Sequence, residues 1–286
     1  MDFAAIEPAG KSTVDDPAVT AVERWAAELA EWAIPPEILA RAEESPWGVP
    51  PNVFVRRADS QLGAPSTPTH RAVLDYGGTV LDIGAGAGAA SLPCARAITH
   101  VTAVDPNARL LAEFAERAAG LSVPHRTIEG RWPDVADQVG VVDVIVCANV
   151  LYNVPDLPPF VEALARHARR VVLELTDTHP LAEMNDLWKR FHNLDRPHGP
   201  TADDAVVALR ELGVEPEEVR WQKAPAPVPF DELVAVTRRR LCLARDRTAD
   251  VAAALAGDRA GTRRMVTLVW SPDRMPESST MPLVGR

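Results

Sequence analysis

An α/β fold with a mostly parallel sheet is predicted from three observations. Short apolar runs alternate with amphipathic helical stretches between residues 79 and 175. Three glycines, Gly84, Gly86 and Gly88, follow the first of these runs directly and lead into Ala89-Ala90-Ser91. An acidic residue, Asp105, closes the next run about 20 residues later. A strand that bends into a helix over small residues lets a ligand touch bare backbone. That is the first turn of a nucleotide-binding βαβ unit.

Residues 1–15 are polar and mixed. Asp16-Pro17 reads as a helix start, and Val22, Trp25, Leu29 and Trp32 form an apolar stripe behind it. Pro35-Pro36 breaks this helix and opens a second, over 37–44. Residues 45–51 are a turn-rich connector. Thr67-Pro68 starts a helix that runs to Tyr76 and is closed by Gly77-Gly78. Strands follow over 80–83, 101–104, 125–128, 141–148 and 170–175. The helices between them cover 87–98, 107–119 and 157–168. Leu110, Leu111, Phe114 and Ala118 mark the inner face of the second of these.

After residue 176 the pattern changes. Residues 177–200 form an insertion rich in aromatic and His residues. Thr201 caps a helix over 202–212, and Gly213 ends it. A sixth strand is expected over 214–222 and a stiff proline loop over 224–229. One helix is expected over 230–255 and a last strand over 263–270. The domain reading is an N-terminal helical cap over 1–66, a main domain over 67–270 and a flexible tail over 271–286.

The 286 residues, 47% of them hydrophobic, suffice for one large domain with a cap. A net charge of -10 argues against general binding to a phosphate backbone, which needs clustered cations. Cys94, Cys147 and Cys242 are far apart, so neither a zinc site nor a disulfide framework is expected. Lys11, Lys189 and Lys223 are the only lysines. No apolar run approaches the ~20 residues of a membrane span. Met1-Asp2-Phe3-Ala4-Ala5 lacks a secretory pattern, so a cytoplasmic location is expected.

The glycine spacing alone also satisfies the relaxed dinucleotide fingerprint, Gly84-x-Gly86-x-x-Ala89. Asp82 bears on the choice. A buried carboxylate two residues before Gly84 would repel a diphosphate but attract a cation. Val80-Leu81-Asp82-Ile83-Gly84-Ala85-Gly86-Ala87-Gly88 resembles motif I of the class I S-adenosylmethionine-dependent methyltransferases, of small-molecule type. The resemblance implies a Rossmann-like seven-stranded sheet of order 3-2-1-4-5-7-6 with the last strand antiparallel. It implies S-adenosylmethionine as cofactor, S-adenosylhomocysteine as product, and methyl transfer to a nucleophilic O, N or C of a small-molecule acceptor.

The cofactor residues implied are Asp82, Gly84, Ala85, Gly86, Gly88, Asp105 and Pro106, then Gly130, Arg131 and Trp132, then Asn149 and Val150. Asp105 accepts the ribose hydroxyls in this reading. Arg131 stands where many members carry an acidic residue, so Trp132 stacking or backbone would contact the adenine. Cys147-Ala148-Asn149-Val150-Leu151-Tyr152-Asn153 resembles the family's motif IV segment without the motif of amide and nucleobase methyltransferases.

Tyr152 and His192 are the catalytic candidates, the latter as a general base. Asn153, Trp188, Phe191 and Arg196 are the acceptor-site candidates. Arg238-Arg239-Arg240 with Arg245 and Arg247 reads first as a solvated helix face. No metal site is visible. The alternatives are an NAD(P)-dependent oxidoreductase and a non-catalytic S-adenosylmethionine-binding protein. No lysine has a tyrosine at the Tyr-x-x-x-Lys spacing that the first would use.

Overall fold

The computed structural model describes residues 19–47, 51–64, 66–224, 228–256 and 261–272. Four helices come first: α1 (Ala21–Ala30), α2 (Pro36–Leu39), α3 (Pro51–Leu62) and α4 (Pro68–Tyr76). Thr20 caps α1 in a reciprocal pair with Glu23, and Thr67 caps α4. Gly77, at φ 65, ends α4 in a conformation that suits glycine. The expected helix start at Asp16-Pro17 lies outside the described residues.

Next come β1 (Gly78–Ile83), β2 (Ile98–Asp105), α5 (Ala108–Gly120), β3 (His125–Glu129), β4 (Val142–Ala148), α6 (Leu157–His167) and β5 (Ala168–Thr176). The chain continues through α7 (Asn185–His192), α8 (Ala202–Glu211), β6 (Glu217–Lys223), α9 (Phe230–Arg240), α10 (Thr248–Leu255) and β7 (Arg263–Trp270). The seven strands form one sheet of order β3-β2-β1-β4-β5-β7-β6. The first five strands pair in parallel, and β7 runs antiparallel to both β5 and β6. This is the Rossmann-like order expected from the sequence.

The two-residue period of the strands divides the core into two layers. Leu81, Ile83, Ile145, Leu173 and Leu268 face α1, α6 and α8. Val80, Val144, Val146, Val172 and Val269 face α4, α5 and the turn after β1. All four residues read as the inner face of α5 are buried.

Three local expectations fail for physical reasons. The segment after β1 is a run of turns and a 3-10 helix over Leu92–Ala97, not an α-helix. Pro93 removes a backbone donor there, and Gly86 and Gly88 hold left-handed φ of 52° and 94°. The second helix shrinks to four residues, α2. Helix α3 follows the connector, over residues for which the sequence named no element. The single helix over 230–255 breaks into α9, a 3-10 turn and α10, with Cys242 at φ 53° in the break. The proline loop is described only at its edges.

The segment read as an N-terminal cap divides between two cores. Trp25 of α1, 1% exposed, joins the main core and donates from Nε1 to Val154 O at 2.8 Å. Ile34 joins a smaller cluster with Trp188, Val234, Leu241, Val251 and Leu255, so α7, α9 and α10 form a second layer at one end of the sheet.

Arg196 pins that layer to the N-terminal segment. Arg196 is 9% exposed, and its guanidinium lies between the Trp32 and Trp188 rings, 5.4 and 5.2 Å from their centroids. It donates to Trp32 O at 2.5 Å and Ala33 O at 2.9 Å. Arg196→Ala is expected to destabilise the fold by about 2–4 kcal/mol through loss of these contacts. Arg196→Lys should recover under half of this, because an ammonium does not fill a planar slot. Chemical denaturation of the variants checks both. Among the described residues no helix is long and apolar enough to cross a membrane.

Candidate functional site

The glycine turn stands at the carboxyl end of β1, between β2 and β4. The N–H groups of Gly84 and Ala85 both donate to Val104 O, at 2.8 and 3.1 Å. Gly84 has φ 68°, and a Cβ there would stand 2.3 Å from Val150 Cγ2. Only glycine therefore lets the loop after β4 close onto the turn. At Gly86, φ 52°, a Cβ would meet nothing within 4 Å, so this side of the turn is open.

Asp105 ties the turn to β2. Its Oδ2 accepts from Gly86 N at 2.9 Å and its Oδ1 from Asn107 N at 2.9 Å. Burial raises its carboxyl pKa, and the two backbone donors pull it back in part. Each oxygen keeps a lone pair, so the group can still accept from a diol. Pro106 next to it is exposed.

Asp82 is fully buried beneath the turn rather than pointing openly into a crevice. Ser91 Oγ donates to its Oδ2 at 2.5 Å, while Oδ1 has no partner. Burial pushes its carboxyl up to about 7, against the pull of the Ser91 bond and with a smaller push from Asp105. An unpaired buried carboxylate oxygen, an open glycine face and a diol-accepting Asp105 fit a ligand carrying a positive charge and a ribose.

Beyond the turn the rim is built by Asn149, at φ 59°, directly after β4. Its N–H donates to Glu174 O at 2.7 Å, and its Nδ2 reaches Glu174 Oε1 at 3.3 Å. Lys223 Nζ donates to the same oxygen at 3.0 Å. Thr69 Oγ1 donates to Glu174 Oε2 at 2.8 Å and lies 2.9 Å from Thr267 Oγ1. Trp221 Nε1 donates to Thr267 Oγ1 at 3.0 Å, which orders the chain of donors toward Glu174. Burial raises the Glu174 pKa, but the Lys223 charge and the bonds from Lys223 and Thr69 outweigh it and hold the carboxyl below its ordinary range.

Several residues read as site candidates stand elsewhere. Tyr152 is 4% exposed, stacks on Trp25 at 5.6 Å and donates to Thr176 O at 2.7 Å. Burial pushes its hydroxyl pKa up, so it serves packing and not proton transfer. His192 lies on α7 against Trp188, with Nε2 2.6 Å from Leu241 O. It is engaged in the second layer and is no free base there. Trp188 and Arg196 are interior to the same layer, and Phe191 packs at its margin under Arg190 and Arg247. Asn153 is exposed and donates to Val150 O.

Trp132 is 7% exposed, packs in the main core and meets His167 edge-on at 5.3 Å, so it presents no face for stacking. Arg131 is exposed, and Gly130 N donates to Asp105 O at 3.2 Å. Arg238 is buried and bonded to Leu243 O and Glu44, not a solvated face.

Sequence reasoning missed Ser91, Thr69, Glu174 and Lys223. One signal was available. Glu174 is a carboxylate inside the apolar run Val171-Val172-Leu173-Glu174-Leu175.

Residues 80–171, from the interior of β1 into β5, match the model of a family described as a methyltransferase domain. Residues 80–171 thus carry a methyltransferase domain. The methyltransferase matches none of the curated proteins compared with it.

Among solved structures it is similar to a methyltransferase of Geobacter sulfurreducens in complex with S-adenosyl-L-homocysteine. That pair shares 16% identity with a TM-score of 0.49, over 77% of this chain and 97% of that one. A counterpart from Thiobacillus denitrificans, also with S-adenosyl-L-homocysteine, shares 18% identity with a TM-score of 0.47 over 78% of this chain and 99% of that one. Magnesium protoporphyrin IX methyltransferase from Synechocystis shares 17% identity with a TM-score of 0.47 over 75% of this chain and 93% of that one.

Proposed function

We infer that the methyltransferase acts on a small-molecule acceptor held over the carboxyl ends of β4, β5 and β6. When bound, S-adenosylmethionine supplies a methyl group on a sulfonium, and the acceptor's lone pair takes that carbon while the C–S bonding pair returns to sulfur. In this reading Asp105 accepts from the ribose, and ionised Asp82 offsets the positive charge through the turn. The backbone of Gly84 to Gly86 gives close approach. Asn149 and Val150 form the wall between donor and acceptor, and Glu174 fixes Asn149. The gain comes from alignment and exclusion of water, which together can lower the barrier by several kcal/mol.

One observation carries the choice of a small acceptor. The rim beside β5 holds a cleft of about 130 Å³, walled by Thr176 to Pro180, Glu183 and Thr262 to Arg264. Two inter-strand steps, roughly 10 Å, separate β5 from β1. The cleft's volume is of the order of a small functional group and its attachment, not of a nucleic-acid strand or a folded protein surface.

Incubation with methyl-labelled donor and a cell extract tests this. Label is expected in the low-molecular-weight fraction. Label confined to protein or RNA would overturn the acceptor class. Parallel titrations should show saturable binding of S-adenosylmethionine and S-adenosylhomocysteine, and none of NAD(H).

A further inference from the structure

Ser91 donates the bond that orients Asp82, yet it stands on a segment with little regular structure of its own. Turns lead up to Ser91, and the 3-10 helix over Leu92–Ala97 follows it. An α-helix here would send the N–H of residue 93 to Ala89 O, and residue 93 is proline. That carbonyl needs a donor from elsewhere in the chain. His70 of α4 supplies one, with its Nε2 3.2 Å from Ala89 O.

A single ring state satisfies both nitrogens. Nδ1 meets the Thr67 N–H at 3.5 Å and must accept, while Nε2 meets a carbonyl and must donate. His70 is therefore neutral, with its proton on Nε2. The side chain is buried, and burial lowers its pKa. The Ala89 bond and the Glu174 carboxylate pull the other way, and the Lys223 charge adds to the lowering.

His70 grips the same segment a second time, because Cys94 Sγ donates to His70 O at 3.4 Å. Ser91 lies between these two contacts, two residues after Ala89 and three before Cys94. A Cβ on Gly88 would stand 2.3 Å from Leu92 Cδ1 and 3.2 Å from Phe114 Cδ2, so the turn is packed there and open at Gly86.

Helix α4 is itself anchored beside His70. Thr69 is fully buried and bonded to Glu174. Lys223, which faces Arg263 across β6 and β7, holds Glu174 from the other side. The His70 ring is thus presented to the glycine turn from a fixed frame.

We propose that His70 is a positioning residue for the donor site: by holding the chain on both sides of Ser91 it sets the Ser91–Asp82 bond, and so the direction in which the free Asp82 oxygen points. This role rests on the donor reading above and adds to it the side chain that fixes the carboxylate.

Carbon NMR of the Asp82 carboxyl, followed against pH in the donor-free protein, reads this brace. The Ser91 bond holds the Asp82 pKa down, so loosening Ser91 should raise it. His70→Leu cannot donate. It is expected to move the Asp82 titration to higher pH and to weaken S-adenosylmethionine binding at pH 7 by about five- to twentyfold. His70→Gln should restore most of both, because its amide can donate to Ala89 O and still accept from the Thr67 N–H. A side chain that served packing alone would leave the Asp82 titration in place. An unchanged Asp82 titration in His70→Leu, or a Gln variant no better than Leu, overturns the proposal. Nitrogen NMR of the parent should show His70 neutral at pH 7 with its proton on Nε2. A proton on Nδ1 overturns the proposal whether or not a variant folds. If the parent binds no S-adenosylmethionine, the donor reading falls, and the Asp82 titrations still decide the brace.

Discussion

Asp82→Asn is expected to flatten the pH dependence of S-adenosylmethionine binding and to weaken it at pH 8 by about 10- to 100-fold. In the donor-free protein the Asp82 carboxyl is raised to about 7, first by burial, so it carries a proton over much of the neutral range. A cationic ligand beside its unpartnered Oδ1 favours the ionised form, so binding expels that proton below pH 7. Affinity should therefore climb by up to about tenfold per pH unit below 7 and level off above it. Calorimetry in buffers of different ionisation enthalpy reads the proton directly. Uptake or release that is unchanged in Asp82→Asn would remove Asp82 from the linkage.

The same shift makes a statement about stability. A carboxyl raised on folding contributes stability that is complete below its unfolded pKa near 4 and lost as pH climbs through 7. The donor-free parent should lose up to about 4 kcal/mol from this group across that window. Asp82→Asn should not, and denaturation at pH 5 and pH 8 measures the difference.

Lys223→Met is the second large effect. It leaves the Glu174 carboxylate, 4% exposed, with only Thr69, Asn149 and the more distant Arg57 to hold it. Removing one partner of a buried pair destabilises by about 3–5 kcal/mol, or roughly 10 °C in melting temperature. The double variant Glu174→Gln/Lys223→Met removes both charges and should recover most of that loss. Glu174→Gln alone leaves the ammonium buried and should be intermediate. A double-mutant cycle gives the coupling between them, and a value near zero would mean the ammonium is held by solvent.

Local chemistry was legible wherever it lay within a few residues. Thr67-Pro68 and Gly77 bounded α4. Glycine spacing and Asp105 marked the turn, because each acts through its own backbone. Helix α3 escaped notice because little of it is apolar. Of its described side chains Ala58 is the buried one, and ion pairs from Arg56 and Asp59 hold the helix. The break after α9 carries no glycine or proline; Arg238 reaching Leu243 O stabilises it.

The Glu174–Lys223 pair joins residues 49 apart in sequence, so only the folded sheet brings them together. Trp132, Tyr152 and His192 had the right chemistry for a site, but residue type cannot report that each side chain turns inward.

The order of the sheet sets when it can be finished. Strand β7 is the last to leave the ribosome, yet it sits between β5 and β6. Until residue 270 has been made, β5 has a bare edge and β6 has nothing to pair with. A nascent chain arrested before Arg263 would thus display a sticky, half-built sheet, and the Lys223–Arg263 corner would not exist. Assembly of that corner therefore waits on β7, and until then the open edge of β5 is the surface a chaperone would have to shield.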